Sequence, residues 1–178
     1  MGDGAAIYLG EIINSKNEHW ELQLKGAGPT PYSREADGRK VLRSSIREFL
    51  CSEAMHHLGI PTTRAATCVV GDNVVSRDMF YDGHPKMEPC SVIARLAPSF
   101  IRFGSFEIFR PMDFHSYKSG PSVGRHDILT NLTDYVIQTL YPSIHNQEWD
   151  EPKEKYKQFY KEVVYKTARL AAKWQAVG

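Results

Sequence analysis

His19-Trp20-Glu21-Leu22-Gln23-Leu24-Lys25-Gly26-Ala27-Gly28-Pro29 sets Trp20, Leu22 and Leu24 against Glu21, Gln23 and Lys25, then breaks into glycine and proline. Apolar residues at every second position predict a strand with one buried face. Its last polar-face residue, Lys25, stands immediately before glycine-rich backbone. A cation beside amides carrying little side-chain bulk is suited to holding phosphate oxygens, while a solvated strand-end lysine satisfies the same local pattern. Upstream, residues 6–13 are apolar and β-prone, and the polar Asn14-Ser15-Lys16-Asn17-Glu18 between the two runs predicts a hairpin. Downstream, residues 26–39 are rich in Gly, Pro, Ser and charge and end in Asp37-Gly38-Arg39. They are expected to form a loop of about 14 residues, a length at which loops in compact domains are commonly functional.

Residues 41–58 then place Leu42, Ile46, Phe49, Leu50 and Leu58 on one helical face, with Gly59 positioned for a C-cap and Pro61 just beyond. Three further β-prone runs, 64–70, 74–80 and 91–96, are separated by Gly71-Asp72-Asn73 and by the turn-rich Asp82-Gly83-His84-Pro85. After Pro121 the period changes. Ile128, Leu132, Tyr135, Val136 and Leu140 fall at helical spacing up to Pro142, and Tyr156, Phe159, Tyr160, Val163, Val164, Leu170 and Trp174 do so in a long final helix. Strands around one helix, followed by helices alone, predict an α+β arrangement with a β-rich part at 1–110 and a helical part at 111–178.

A chain of 178 residues, 42% hydrophobic, has enough apolar material for one sizeable core. Twenty-two Lys and Arg against 21 Asp and Glu leave a net charge of +1, so no global field draws it to nucleic acid or an anionic membrane. Any phosphate site must be local. No apolar run reaches 18 residues, and the first residues have neither the basic nor the apolar segment of a targeting peptide. Cys51, Cys68 and Cys90 are widely spaced and odd in number, and are expected to be reduced, mostly buried apolar residues.

Glu48 lies in the middle of the predicted helix. Alone it reads as an exposed helix charge, but a strand lysine, a glycine-rich loop and then a helix glutamate is the order in which protein kinases build the Lys–Glu ion pair that positions nucleotide phosphates. Arg95 sits inside the apolar run Ser91-Val92-Ile93-Ala94-Arg95-Leu96, and Arg102 inside Phe100-Ile101-Arg102-Phe103. An arginine buried in such a run needs a carboxylate or a phosphate partner, and the local sequence admits both. The seven histidines show no metal-ligand spacing, and no nucleophile elbow, P-loop or catalytic triad is present.

As an ordered set, Gly2-Asp3-Gly4, Leu24-Lys25-Gly26-Ala27-Gly28-Pro29-Thr30-Pro31-Tyr32-Ser33-Arg34, Asp37-Gly38-Arg39, Val41-Leu42-Arg43-Ser44-Ser45-Ile46-Arg47-Glu48-Phe49-Leu50, Gly59-Ile60-Pro61-Thr62-Thr63-Arg64 and Arg102-Phe103-Gly104-Ser105-Phe106-Glu107 resemble the selenoprotein O family. The resemblance runs from the first residues to Arg125 and more loosely to Trp174-Gln175. It is closer to eukaryotic members than to bacterial ones, because the stretch 80–89 is longer than the compact bacterial pattern. The resemblance implies a protein-kinase-like fold, with an antiparallel N-lobe around one central helix and the first helices of a C-lobe. It implies ATP bound with its phosphates reversed, AMP transferred to Ser, Thr or Tyr hydroxyls of protein substrates, and a mitochondrial location, with a cytoplasmic one as the alternative.

By position, Lys25 is then the phosphate-binding lysine and Glu48 its helix partner, and Gly2, Gly4, Asp37, Gly38, Arg95 and Arg102 match nucleotide-contacting positions. Arg95 and Arg102 become phosphate clamps on this reading. Bacterial members follow Gly-Asp-Gly with an arginine, where Ala5 stands here. The family's catalytic loop, with its base aspartate and its Mg2+ ligands, is expected past Gly178. No catalytic or metal-binding residue is therefore expected in this chain, and alone it is expected to be inactive. The competing readings are a catalytically silent nucleotide-binding or scaffolding pseudokinase and a conventional phosphotransferase.

Overall fold

The computed structural model describes residues 3–115 and 117–178, so Gly2, one of the candidate site residues, lies outside them. The chain divides into two compact units, one ending at Arg102 and the other running from Phe103 to Gly178. The first is an antiparallel sheet of five strands with one helix, and the second contains helices and loops. This is the expected α+β class.

In the first unit β1 (Ala6–Ile13) and β2 (His19–Lys25) form the predicted hairpin. Its turn is closed by the Asn14 side chain, whose Oδ1 accepts from the amides of Lys16 and Glu18 at 2.9 Å each. Next in sequence come the short strand β3 (Lys40–Val41), helix α1 (Leu42–His57), β4 (Arg64–Arg77) and β5 (Lys86–Ala97). β5 is the central strand. One of its edges carries β4, and the other is shared end to end by β2, paired over Glu21 to Lys25, and β3, paired at Lys40 and Val41.

Two expectations about the strands are corrected. β4 is one strand from Arg64 to Arg77, not two, and β5 begins at Lys86 rather than Ser91. Gly71-Asp72-Asn73 is a bulge, standing opposite Cys90 between the pairs Val70↔Ser91 and Val74↔Pro89. Pro89 has no N–H to give the ladder, which accounts for the break in register at this point.

Helix α1 ends as its sequence predicts. Gly59 takes φ +73°, its N–H donates to the His56 carbonyl, and the Ile60 N–H reaches back to the Met55 carbonyl while Ile60 itself is buried. The inner face of α1 is not the predicted one. Ile46, Leu50 and Leu58 are exposed, whereas Ser45 and Ser52 are buried, with Val41 just ahead of the helix. The cause lies on β5, where Ser91, Ile93, Arg95 and Ala97 are buried at alternate positions. Ser91 Oγ donates to Ser45 Oγ at 2.7 Å and Arg95 Nη1 to Ser52 Oγ at 2.8 Å, so polar groups of the strand select a polar helix face. The cysteines also differ from expectation: Cys90 is buried but Cys51 is exposed, and all three are free thiols.

The second unit holds the short helix α2 (Phe103–Phe106), a 3-10 turn, α3 (His126–Leu140), α4 (Pro142–His145) and α5 (Pro152–Gln175). Val136, Ile137 and Ile144 are its buried apolar side chains. Phe159 of α5 meets Tyr141 edge to face, and the Asp134 carboxylate accepts from Lys155 at 2.7 Å and from the Tyr156 hydroxyl at 3.0 Å. Tyr160, Val164, Tyr165 and Trp174 are exposed along α5. Among the described residues no helix is long and apolar enough to cross a membrane.

Helix α1 is tied to the start of β4 by Glu53, which accepts from Arg64 Nε at 2.9 Å, from Nη2 at 2.6 Å and from the Ala65 amide at 3.1 Å. The Arg64 hydrogen bonds, with the Ala65 amide, lower the Glu53 carboxyl from the ordinary 4.5 to about 2. A depressed folded-state pKa means that the tie stabilises fully above the unfolded value and is lost as pH falls through the folded one. Urea midpoints of the parent chain and Glu53→Gln should therefore differ most above about pH 5 and converge as pH approaches 2. A difference that is constant across this window would contradict the tie.

Candidate functional site

The register of the sheet decides which side chains converge. Residues directly opposite each other on neighbouring strands share a face. Lys40 opposes Ser91, Lys25 opposes Ile93 and Gln23 opposes Arg95. Ser91, Ile93 and Arg95 face α1, so the two lysines and Gln23 do as well. The polar side of β2 is thus turned toward the helix, with Glu21, Gln23 and Lys25 half-buried.

Glu48 meets this cluster from α1. Its carboxylate is 2.7 Å from Lys40 Nζ, 3.3 Å from Lys25 Nζ and 3.6 Å from Arg95 Nε. Burial pushes the Glu48 carboxyl up, but the hydrogen bond from Lys40 and the charges of Lys25 and Lys40 outweigh it and hold the group below its ordinary value. Arg95 is only 6% exposed. Its guanidinium also donates to Ser52 Oγ, to the Thr63 carbonyl at 2.9 Å and to the Thr63 hydroxyl. Desolvation lowers its pKa from the ordinary arginine value, against the opposing pull of Glu48 and Glu53. Arg102 donates to Asp3 Oδ2 at 2.8 Å. Burial raises the Asp3 carboxyl, but the Arg102 and Ala5 donors and the Lys25 charge bring it below the ordinary range.

Lys25, Glu48, Arg95 and Arg102 line one pocket of about 250 Å³, together with Gln23, Thr63 and residues 99–101. Four cations, counting Lys40, are ion-paired with two carboxylates, Glu48 and Asp3, so positive charge is in excess among these groups. In a chain of net charge +1 such a pocket is a local concentration of positive charge, of the kind suited to an anion. Among the described residues no group of three or more His, Cys, Asp or Glu is arranged to hold a metal ion. The two carboxylates at the pocket are already engaged by lysine and arginine, so the residues here do not fit a magnesium ion.

The other candidates lie at the root of the 26–39 loop. Gly38 takes φ +64°, and a Cβ there would come within 2.0 Å of the Gly28 carbonyl oxygen, so the two limbs of the loop cross at a distance only glycine permits. Asp37 accepts from Arg77 Nη2 at 2.7 and 2.8 Å and from the Arg39 amide at 2.9 Å. The Arg77 bond chiefly holds its carboxyl below the usual range, against a smaller effect of burial. Gly4 lies on the 30–33 turn: its carbonyl accepts from Ser33 Oγ at 2.5 Å, and the Asp3 carbonyl accepts from Thr30 Oγ1 at 2.8 Å. Asp37, Gly38 and Gly4 therefore shape the loop, and none of them lines the pocket described above.

Lys40, Asp3, Ser52, Thr63 and Arg77 were not marked by sequence as site residues. Lys40 had a legible signal, because Lys40, Ser44 and Glu48 follow at intervals of four, and Lys40 Nζ also donates to Ser44 Oγ at 3.2 Å. Arg77 had none, since its partner Asp37 is 40 residues away.

The sequence profile of the family described as "Protein adenylyltransferase SelO" matches residues 1–178. The chain is 62% identical over 181 residues to "Protein adenylyltransferase SelO, mitochondrial" of Mus musculus, and 60% identical over 178 residues to the protein of the same name of Homo sapiens. It is 52% identical over 178 residues to "Protein nucleotidyltransferase YdiU" of Methylobacillus flagellatus. Each match covers 100% of this chain, but 27% of the mammalian proteins and 32% of the bacterial one. The chain thus spans about a quarter to a third of the length of the curated relatives it matches.

The crossing at Gly38 can be tested against a glycine of similar φ in open space. Gly38→Ala should destabilise the first unit by at least about 2 kcal/mol, from backbone strain plus the collision with Gly28. Gly83→Ala, at φ +84° with nothing within 4 Å of the added Cβ, should cost about 1 kcal/mol. Equal losses in urea unfolding would show that the crossing does not constrain the loop.

Proposed function

The chain belongs to the SelO family of protein adenylyltransferases, and from that premise we propose that it forms the part of such an enzyme that grips ATP by its phosphates. AMP then passes to Ser, Thr or Tyr hydroxyls of protein substrates. The observation that carries this reading is the pocket in which Lys25, Arg95 and Arg102 converge around Glu48 with positive charge in excess. The five-stranded antiparallel sheet, its single packed helix and the Lys25–Glu48 pair support a kinase-like N-lobe, and the helices after Arg102 support the beginning of a C-lobe. The names of the mammalian relatives support a mitochondrial location.

The chemistry follows from the charges. The substrate hydroxyl oxygen attacks the α-phosphorus, a new O–P bond forms, and the bond from the α-phosphorus to the bridging oxygen of the β-phosphate breaks. Pyrophosphate leaves with the bonding electrons. Cations aimed at the β- and γ-phosphates stabilise this leaving group, and in a partly desolvated pocket they do so more strongly than water would. Arg95, the most buried of the three, is suited to a γ-phosphate turned inward, and Lys25 and Arg102 to the oxygens nearer the mouth. Asp37, Gly38 and Gly4 serve by holding the loop against the nucleotide. The described residues offer neither a magnesium site nor an unpaired carboxylate at the pocket to take the hydroxyl proton, and we assign both to the part of the relatives' length that this chain does not span.

The test uses a protein of the relatives' full length carrying this chain. ATP labelled at the α-phosphate should leave label on protein, and ATP labelled at the γ-phosphate should not. Protein-bound γ-label would replace the adenylyl reading with phosphotransfer. Lys25→Ala should lower the rate roughly 30-fold to 1000-fold, equivalent to about 2 to 4 kcal/mol, by removing a charge-assisted phosphate contact. Glu48→Ala should cost less, because it disturbs the lysine without removing a phosphate donor. The double variant should fall well short of the product of the two, since the residues act as a unit. Multiplicative losses would sink the pairing.

A further inference from the structure

Glu48 is the partner of two lysines, and the one closer to it is not Lys25. Lys40 Nζ lies 2.7 Å from Glu48 Oε2, against 3.3 Å for Lys25, and its side chain is 16% exposed against 33%. Lys40 is absent from the residues lining the pocket, which include Lys25 and Glu48. It approaches from behind, its stem packed where a Cβ on Gly26 would collide at 2.4 Å. Its second acceptor is Ser44 Oγ, on the first turn of α1.

We propose that Lys40 is a positioning residue for the phosphate site: it holds the Glu48 carboxylate from behind, so that Lys25 stays near Glu48 without being consumed by it and presents its ammonium to phosphate. The inference deepens the proposed function and rests on it. A carboxylate with a single lysine neighbour forms the tightest available pair with that lysine, and an ammonium locked in such a pair has fewer donors for a ligand. With Lys40 occupying one oxygen at short range and Arg95 approaching the other, Glu48 retains enough negative charge to locate Lys25 and too little to sequester it. The strand register makes this possible, because Lys25 and Lys40 oppose Ile93 and Ser91, two residues apart on the same face of β5.

The experiment measures ATP and inorganic tripolyphosphate affinity of this chain as parent, Lys40→Met, Lys40→Arg, Lys25→Met, Glu48→Gln and the Lys40→Met/Glu48→Gln pair, each shown by circular dichroism to be folded. Lys40→Met should weaken binding roughly threefold to tenfold, less than the loss at Lys25, and Lys40→Arg should restore most of it. In the Glu48→Gln background Lys40→Met should change affinity less than about twofold, because its effect passes through Glu48. An undiminished effect in that background would show that Lys40 acts as a general positive charge, and the proposal would fall. So would unchanged affinity in Lys40→Met where Lys25→Met and Glu48→Gln both weaken binding. If Lys25→Met also leaves affinity unchanged, or the parent binds neither anion, the phosphate-site reading itself fails and takes this inference with it.

Discussion

The carboxylate of Glu48 is the constraint around which the first unit is built. Arg95 lies in the central strand, buried and permanently charged, and a guanidinium in that position needs a full set of acceptors. Glu48, Ser52 and Thr63 supply them, and each comes from a segment that must approach β5 closely. Helix α1 therefore turns a serine-rich face to the sheet, since leucines at 45 and 52 would hold it away and leave Arg95 unpartnered. Leu50 and Ile46 are displaced to the outside as a result.

Stability alone does not explain such an arrangement. Buried ion clusters are commonly replaced by apolar side chains of similar volume at no loss, and sometimes with a gain of about 1 to 4 kcal/mol. The excess of positive charge makes the case weaker still, because like charges are held close together around one carboxylate. Three cations gathered around one carboxylate on the helix-facing side of the sheet are the feature on which the proposed phosphate grip rests.

The parts of this fold that depend on local backbone chemistry were legible in the sequence. The β1–β2 hairpin, the Asn14 turn and the Gly59–Pro61 stop each report a constraint contained in a few neighbouring residues, and each was found where expected; the alternation of β2 marked a strand, but its polar side, not its apolar side, is the one turned to the helix. What was misread depended on partners far away. Gly71-Asp72-Asn73 resembles a turn until Pro89 is placed opposite it, and Ser45 and Ser52 resemble a solvated stripe until Ser91 and Arg95 are placed beneath them. The site divides in the same way. Lys25, Glu48, Arg95 and Arg102 were marked and do meet, whereas Lys40, whose spacing of four from Ser44 and Glu48 could have marked it, was not.

Lys25 and Lys40 also bound the glycine-rich loop, one on each side of residues 26–39. Both touch Glu48, so the two ends of the loop and the middle of α1 are joined at one carboxylate. The loop is pinned a second time at its root, where Gly38 crosses under Gly28 and Arg77 of β4 holds Asp37. A loop fixed at these points has little freedom to move independently of the helix and the sheet. Displacing α1 would shift Glu48, and with it both lysines and the limbs of the loop between them. Glu48 thus joins the geometry that sets the charge of the pocket to the geometry that fixes the two ends of the loop.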